Sequence, residues 1–236
     1  MSRQIVLDTE TTGIHVDQGH RVIEIGCVEL VNRKVTNNKF HCYLNPQRDI
    51  DEGAQAVHGI TAAFLADKPL FPEVAAAFIE FVQGAELIIH NAPFDVGFLN
   101  KELQLCNQHW KPLSDYCRIF DTLALARKQH AGMRNNLDAL CKRYGIDNTH
   151  REYHGALLDA YLLAQVYLSM SEGQRSLLDG LDRSAQAVFQ QTSIQINEKR
   201  RKIVIKATLE EQQFHEEYLQ KLQKQGKCLW SERRDG

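Results

Sequence analysis

Ile5-Val6-Leu7-Asp8-Thr9-Glu10-Thr11-Thr12-Gly13 is a short β-branched run that ends in carboxylates and a Thr/Gly turn. Side chains two apart in an extended strand point to the same face, so Asp8 and Glu10 present two carboxylates together where the strand stops. Paired hard oxygen donors suit Mg²⁺ or Mn²⁺. A solvent-facing strand end that runs into a turn has the same pattern, so the pair gains meaning only from what the rest of the chain brings to it.

Working outward, residues 22–31 and 39–44 alternate apolar and polar positions, which with 4–8 predicts three strands in an antiparallel start. After Pro72, Val74, Ala77, Phe78 and Phe81 fall at helical spacing over 73–82, and Gly84 closes the segment. Residues 86–90 read as a buried strand, followed by a helix from Pro93, a residue suited to a first helical turn. Helical patterns follow at 121–129, at 136–144 and at 156–170. Strands first, then strands alternating with helices, predict a mixed-sheet α/β domain over residues 1–170.

The remaining residues change character. Residues 171–202 are rich in Ser, Gln and charge, and predict a flexible linker. Within 203–236, Thr208-Leu209-Glu210-Glu211 forms a capping-box pattern; Phe214, Tyr218 and Leu222 recur every four residues, and Gly226 stands where a helix would stop. A lone amphipathic helix cannot bury its own apolar face, so this segment is read as a docking element for a partner protein.

The 236 residues, 43% hydrophobic and 25% charged, exclude collagenous, low-complexity and wholly disordered chains, and amount to about one and a half domains. A net charge of −2 disfavours a partner that binds phosphates by bulk charge alone. Residues 1–170 hold 16 basic and 20 acidic side chains, and residues 171–236 hold 12 and 10, so the acidic excess lies in the sheet domain. No apolar run reaches the length of a membrane span and no signal-peptide core opens the chain, which predicts a cytoplasmic protein without membrane contact. Cys27, Cys42, Cys106, Cys117, Cys141 and Cys228 form no C-x-x-C pair and read as free thiols.

Two further segments carry ionisable groups. In His90-Asn91-Ala92-Pro93-Phe94-Asp95 a buried strand feeds a helix whose first turn holds Asp95, either as a complement to the helix dipole or as a third ligand. In His154-Gly155-Ala156-Leu157-Leu158-Asp159 the apolar stripe turns Asp159 toward the buried side, where a carboxylate needs a cation. On a continuous helix His154 would sit about 140° from Asp159, so the two converge only if His154 stands in the loop before the helix, a break that Gly155 permits.

In that order, Asp-x-Glu, Asn-x-x-x-Asp and His-x-x-x-x-Asp resemble the DEDD exonuclease superfamily, in its His-containing branch. With Val57-His58-Gly59-Ile60, Asn136-Leu137-Asp138-Ala139-Leu140 and the ending Lys227-Cys228-Leu229-Trp230, the chain closely resembles the proofreading exonucleases that serve bacterial replicative DNA polymerases.

The resemblance implies a ribonuclease-H-like fold, a mixed five-stranded sheet flanked by helices, followed by the linker and the docking helix. It implies a metal-dependent 3′→5′ exonuclease that removes misincorporated nucleotides from a DNA 3′ end. Asp8, Glu10, Asp95 and Asp159 would hold two divalent cations, Mg²⁺ or Mn²⁺, and His154 would act as general base. Asp8, Glu10, Thr11, His58 and Asp159 would meet the terminal nucleotide, Thr11 through its backbone. A Glu contact that the family places five residues before that His falls here on Gly53, with Glu52 beside it. Phe94 and Phe98 are read as core rather than as a base-stacking platform.

The resemblance further implies that 203–236 docks on the polymerase catalytic subunit, and that a small accessory subunit is a possible partner of the nuclease domain. Gln174-Arg175-Ser176-Leu177-Leu178 is similar to a sliding-clamp-binding pentapeptide, with Gln174, Ser176, Leu177 and Leu178 as its contacts; Arg175 and the final Leu178 depart from the stronger form. Two rival readings are an RNA 3′-exonuclease of the ribonuclease T or oligoribonuclease type, and a non-catalytic adaptor between clamp and polymerase.

Overall fold

A computed structural model describes residues 3–106, 110–149, 153–171, 213 and 215. Five strands form one sheet in the order β3-β2-β1-β4-β5. They are β1 (Arg3–Thr11), β2 (Val22–Val31), β3 (Lys34–Tyr43), β4 (Glu86–Ile89) and β5 (Arg118–Asp121). Pairing is antiparallel through β1–β2 and β2–β3 and parallel through β1–β4 and β4–β5. β1 is therefore the strand at which the sheet changes sense, and its carboxyl end is where such sheets place their ligands.

The antiparallel start and the buried strand at 86–89 follow the sequence pattern. The third strand begins earlier than the alternation suggests, because Asn32 and Arg33 both take left-handed conformations, with φ of 50° and 65°. A two-residue turn of that kind matches the twist of its flanking strands and seats Val31 opposite Lys34. β5 was not legible as a strand, since four residues without alternation give no period to read.

The helices are α1 (Glu52–His58), α2 (Ala62–Leu65), α3 (Phe71–Val82), α4 (Ala92–Leu105), α5 (Thr122–Gln129) and α6 (Leu137–Tyr144), and a seventh, α7, runs over 156–171. Pro72 and Pro93 lie in the first turns of α3 and α4. Asn136 caps α6, accepting a hydrogen bond from the Ala139 backbone N–H at 3.0 Å. Gly145 ends that helix at φ 66°.

Alternation along β1 divides the core. Ile5 and Leu7, with Ile25, Leu87 and Ile89, pack on Phe78 of α3 and Phe98 and Leu99 of α4. Val6, with Val28, Leu30 and Ile88, packs on Ala126 of α5, Leu140 of α6 and Leu163 of α7. Each fully buried side chain of this size contributes about 1.5–3 kcal/mol, so register is strongly fixed: a one-residue slip of β1 would exchange both sets.

Cys27, Cys42, Cys106, Cys117 and Cys141 are free thiols, as read from their spacing; Cys228 lies outside the described residues. No helix among the described residues is long and apolar enough to cross a membrane. The first residue of the expected linker, Ser171, is the last of α7; the rest of the linker, the clamp-like residues Gln174, Ser176, Leu177 and Leu178, and the docking segment lie outside the described residues, apart from Gln213 and His215, which are helical and exposed.

Candidate active site

The four acidic groups are delivered by three elements. Asp8 and Glu10 leave β1 on the face covered by α7, in register with Gly26 and Glu24 of β2. Asp95 stands in the first turn of α4 and is 3% exposed. Asp159 lies in the first turns of α7 and is equally buried. His154 stands in the chain before α7, as the helical geometry required, with its Nδ1 3.5 Å from Asp159 Oδ2.

These five side chains line a single cleft of about 230 Å³, together with Thr9, His90 and Phe94. Within it, one ligand atom each from Glu10, His154 and Asp159 lie within 4.8 Å of one another, a spacing that a single ion could bridge. Asp8 and Asp95 line the same cleft but stand outside that tightest group.

The charge state of Asp95 fits a site built for cations. Burial pushes its carboxyl up to about 7; the Thr9 hydroxyl, donating at 2.7 Å, and backbone N–H groups oppose that shift only in part. A buried carboxylate raised this far takes up either a proton or a metal near neutral pH. Oxygen-rich donors in a partly enclosed cleft form a donor set suited to hard divalent ions.

Gly26 was missed in the sequence. A Cβ added there would lie 2.2 Å from the Leu157 backbone nitrogen and 2.3 Å from the Ala156 carbonyl carbon. Only a bare backbone lets the start of α7 rest on β2, and that contact sets the positions of His154 and Asp159 relative to Asp8 and Glu10. A lone Gly inside a strand pattern is the signal that could have found it.

His58 is the last residue of α1 and is 5% exposed, beside the cleft rather than lining it. The Ile60 backbone N–H donates to its Nδ1 at 3.0 Å, which assigns the ring proton to Nε2. Burial lowers its pKa, against the opposing pull of the Glu24 charge and the Thr11 carbonyl. The His154 backbone N–H donates to Val57 O at 3.1 Å, which ties the end of α1 to the loop carrying His154. Thr11 is buried at the end of β1, its hydroxyl donating to Gly13 O at 2.7 Å.

Gly53 faces open space, and Glu52 lines a neighbouring cavity with Gln55, Ala56, Gly59 and Tyr153, not the catalytic cleft. Phe98 is 2% exposed and belongs to the core, whereas Phe94 both packs against the core and borders the cleft.

A carboxylate cleft at the carboxyl end of the first strand of a mixed five-stranded sheet defines a class of nuclease. Solved structures share the fold. Exonuclease X in complex with 5′-overhanging duplex DNA is 27% identical, with a TM-score of 0.56 over 71% of this chain and 90% of that one. Exonuclease I of E. coli in complex with a dT13 oligonucleotide is 19% identical, with a TM-score of 0.62 over 77% of this chain and 44% of that one, a likeness of fold alone. The family model described as Exonuclease matches residues 5–167.

Full-length relatives narrow the class. DNA polymerase III subunit epsilon of Escherichia coli (strain K12) is 48% identical over 98% of both chains. The protein of the same name from Pasteurella multocida (strain Pm70) is 49% identical over 98% of this chain and 94% of its own. The chain belongs to the exonuclease family and, within it, to the DNA polymerase III epsilon subunits. It is a proofreading 3′→5′ exonuclease, and its family works with divalent metal ions.

Proposed function

We propose that Asp8, Glu10, Asp95, His154 and Asp159 hydrolyse the terminal phosphodiester of a DNA strand with two bound cations, Mg²⁺ or Mn²⁺. The observation that carries this reading is the convergence of three distant sequence segments on one cleft of about 230 Å³. Asp8, Glu10 and Asp159 would hold one cation. Asp8 would be shared with the second, and Asp95 would support both. When bound, the cations make water a better nucleophile, neutralise the phosphate and stabilise the departing 3′ oxygen.

His154 takes the proton from the attacking water. Asp159, facing Nδ1 at 3.5 Å, favours the tautomer that leaves Nε2 free to accept it. The water oxygen bonds to phosphorus, the bond from phosphorus to the 3′ oxygen breaks, and that oxygen takes up a proton. A 5′-mononucleotide and a strand shortened by one residue, with a new 3′ hydroxyl, leave the site. His58, with its proton on Nε2, and the Thr11 backbone border the end of the cleft that would receive the terminal nucleotide.

A cleft lined by carboxylates gains little affinity from phosphate neutralisation, so the nuclease works best when tethered at a primer end. Residues 203–236 would supply that tether by docking on the polymerase catalytic subunit, with the linker motif Gln174, Ser176, Leu177 and Leu178 touching the sliding clamp. A small accessory subunit would be a further partner of the nuclease domain, and the assembly would be cytoplasmic.

The decisive assay follows Mg²⁺-dependent release of mononucleotides from a mispaired DNA 3′ end beside an RNA oligomer of the same sequence. Faster DNA cleavage and its loss in Asp8→Ala are expected. Equal rates for D8A and the parent would remove the catalytic assignment, and a preference for RNA would remove the substrate.

A further inference from the structure

A second cavity of about 700 Å³ adjoins the catalytic cleft, and the two share His90 and Asn136 as lining residues. The second cavity lies past the carboxyl ends of β4 and β5. It is bordered by Asn91 just after β4, by Arg127 on α5 and by Met133 and Asn136 on the loop that enters α6.

Across the sheet, three features follow one another. His58 lies by Glu24 on the β2 side, Asp8 and Glu10 lie at β1, and the second cavity lies on the side of β4 and β5. If the terminal nucleotide enters beside His58 and the scissile phosphate sits among the carboxylates, the strand on its 5′ side leaves in the one remaining direction along this line, over Arg127. This step rests on the catalytic reading above.

The walls are built in advance. Asn135 holds the loop from inside, donating from Nδ2 to the carbonyls of His130 and Met133 at 3.2 and 3.1 Å. Arg143 fastens it from the other side, donating to Asn135 Oδ1 at 3.2 Å and to Arg134 O at 2.7 Å. The loop so held presents Met133 at 58% exposure, an apolar side chain without a core to join. Asn91 is kept in the left-handed region at φ 68°, its backbone N–H bonded to Asp121 Oδ1 at 3.2 Å. Strain of this sort persists where surrounding structure over-determines it.

Charge completes the match. Among the described residues, Arg127 is the one basic side chain bordering either cavity apart from histidine, and the other cavity is walled by carboxylates. A polyanion crossing from one to the other meets its cation there.

We infer that this second cavity is a subsite for the strand on the 5′ side of the scissile bond, with Arg127 on a backbone phosphate and Met133 against a nucleobase. Asn91 and Asn136 supply hydrogen bonds to sugar or base. Single-stranded nucleic acid is commonly held by this mix of cation and sequence-tolerant apolar contact.

The test compares full-length parent, Arg127→Ala and Arg127→Lys on two substrates: a tetradeoxynucleotide, and the p-nitrophenyl ester of thymidine 5′-monophosphate, which has no strand beyond the scissile bond. For R127A, KM for the tetranucleotide should rise about tenfold relative to KM for the ester, the size of one charge-assisted phosphate contact. The slope of log KM against log salt should flatten by about 0.7. R127K, which keeps the charge, should recover most of the loss. An unchanged ratio of the two KM values in R127A would overturn the subsite. Failure of the parent to cleave either substrate would instead remove the catalytic reading beneath it.

Discussion

Asp95 is buried, accepts a hydrogen bond from Thr9 and carries a carboxyl pushed up to about 7 by its surroundings. Its folded-state pKa lies above that of the unfolded chain, so folding takes up a proton between about pH 4 and 7. In metal-free protein the stability contributed at this position is full below that window and is lost as pH rises through it. Urea unfolding in chelator should therefore show the parent losing stability relative to Asp95→Asn from pH 4 to 7. Parallel curves for the two proteins would refute the assignment. His154 gives a second test at this scale. Replacing it with Ala should cut kcat by roughly 10²–10⁴ while Mn²⁺ affinity, measured calorimetrically, changes little, because the carboxylates do the holding. A comparable loss of metal affinity would make His154 a ligand, as its place within 4.8 Å of Glu10 and Asp159 allows geometrically.

At the scale of elements, the catalytic geometry is a packing problem between β2 and α7. Gly26 admits the α7 backbone so closely that a methyl group would overlap Leu157 and Ala156. Gly26→Ala must push the helix outward, at a cost of about 1–3 kcal/mol for overpacking, and move His154 and Asp159 together with it. The expected result is a lowered melting temperature joined to a loss of turnover larger than the stability change explains. Full activity in G26A would show that the site tolerates displacement of α7. The end of α1 is tied to the same loop through the bond from His154 N–H to Val57 O, so His58 would follow that displacement.

For the whole molecule, several carboxylates share one cleft and repel one another, and a cation that binds only the folded state stabilises it by mass action. Millimolar Mg²⁺ or Mn²⁺ should raise the melting temperature of the parent, and D8A should lose most of that increase; equal increases in both would place the stabilising ion elsewhere. Truncation after Met170 should preserve hydrolysis of single strands and abolish co-purification with the polymerase catalytic subunit. Loss of both properties together would contradict the division into nuclease and tether.

Much of this was legible without coordinates, for physical reasons. Long alternating or helical periods mark β2, α3 and α6, because burial of one face is imposed locally by the backbone period. Chemistry-bearing residues at fixed spacing, Asp8 with Glu10 and His154 with Asp159, announce themselves because each pair belongs to one element and its entry. Even the need for His154 to leave the helix followed from 100° per residue. Four-residue β5 carried too little pattern, and the Asn32-Arg33 turn lacked the usual glycine, so both waited for pairing partners far along the chain. What the sequence by itself determined was the inventory: a β-first α/β domain, its carboxylates and their order. Tertiary structure alone decided that Gly26 seats α7, that Glu52 lies outside the catalytic cleft and that a second cavity opens beyond His90, because each depends on distances between segments that no local period encodes.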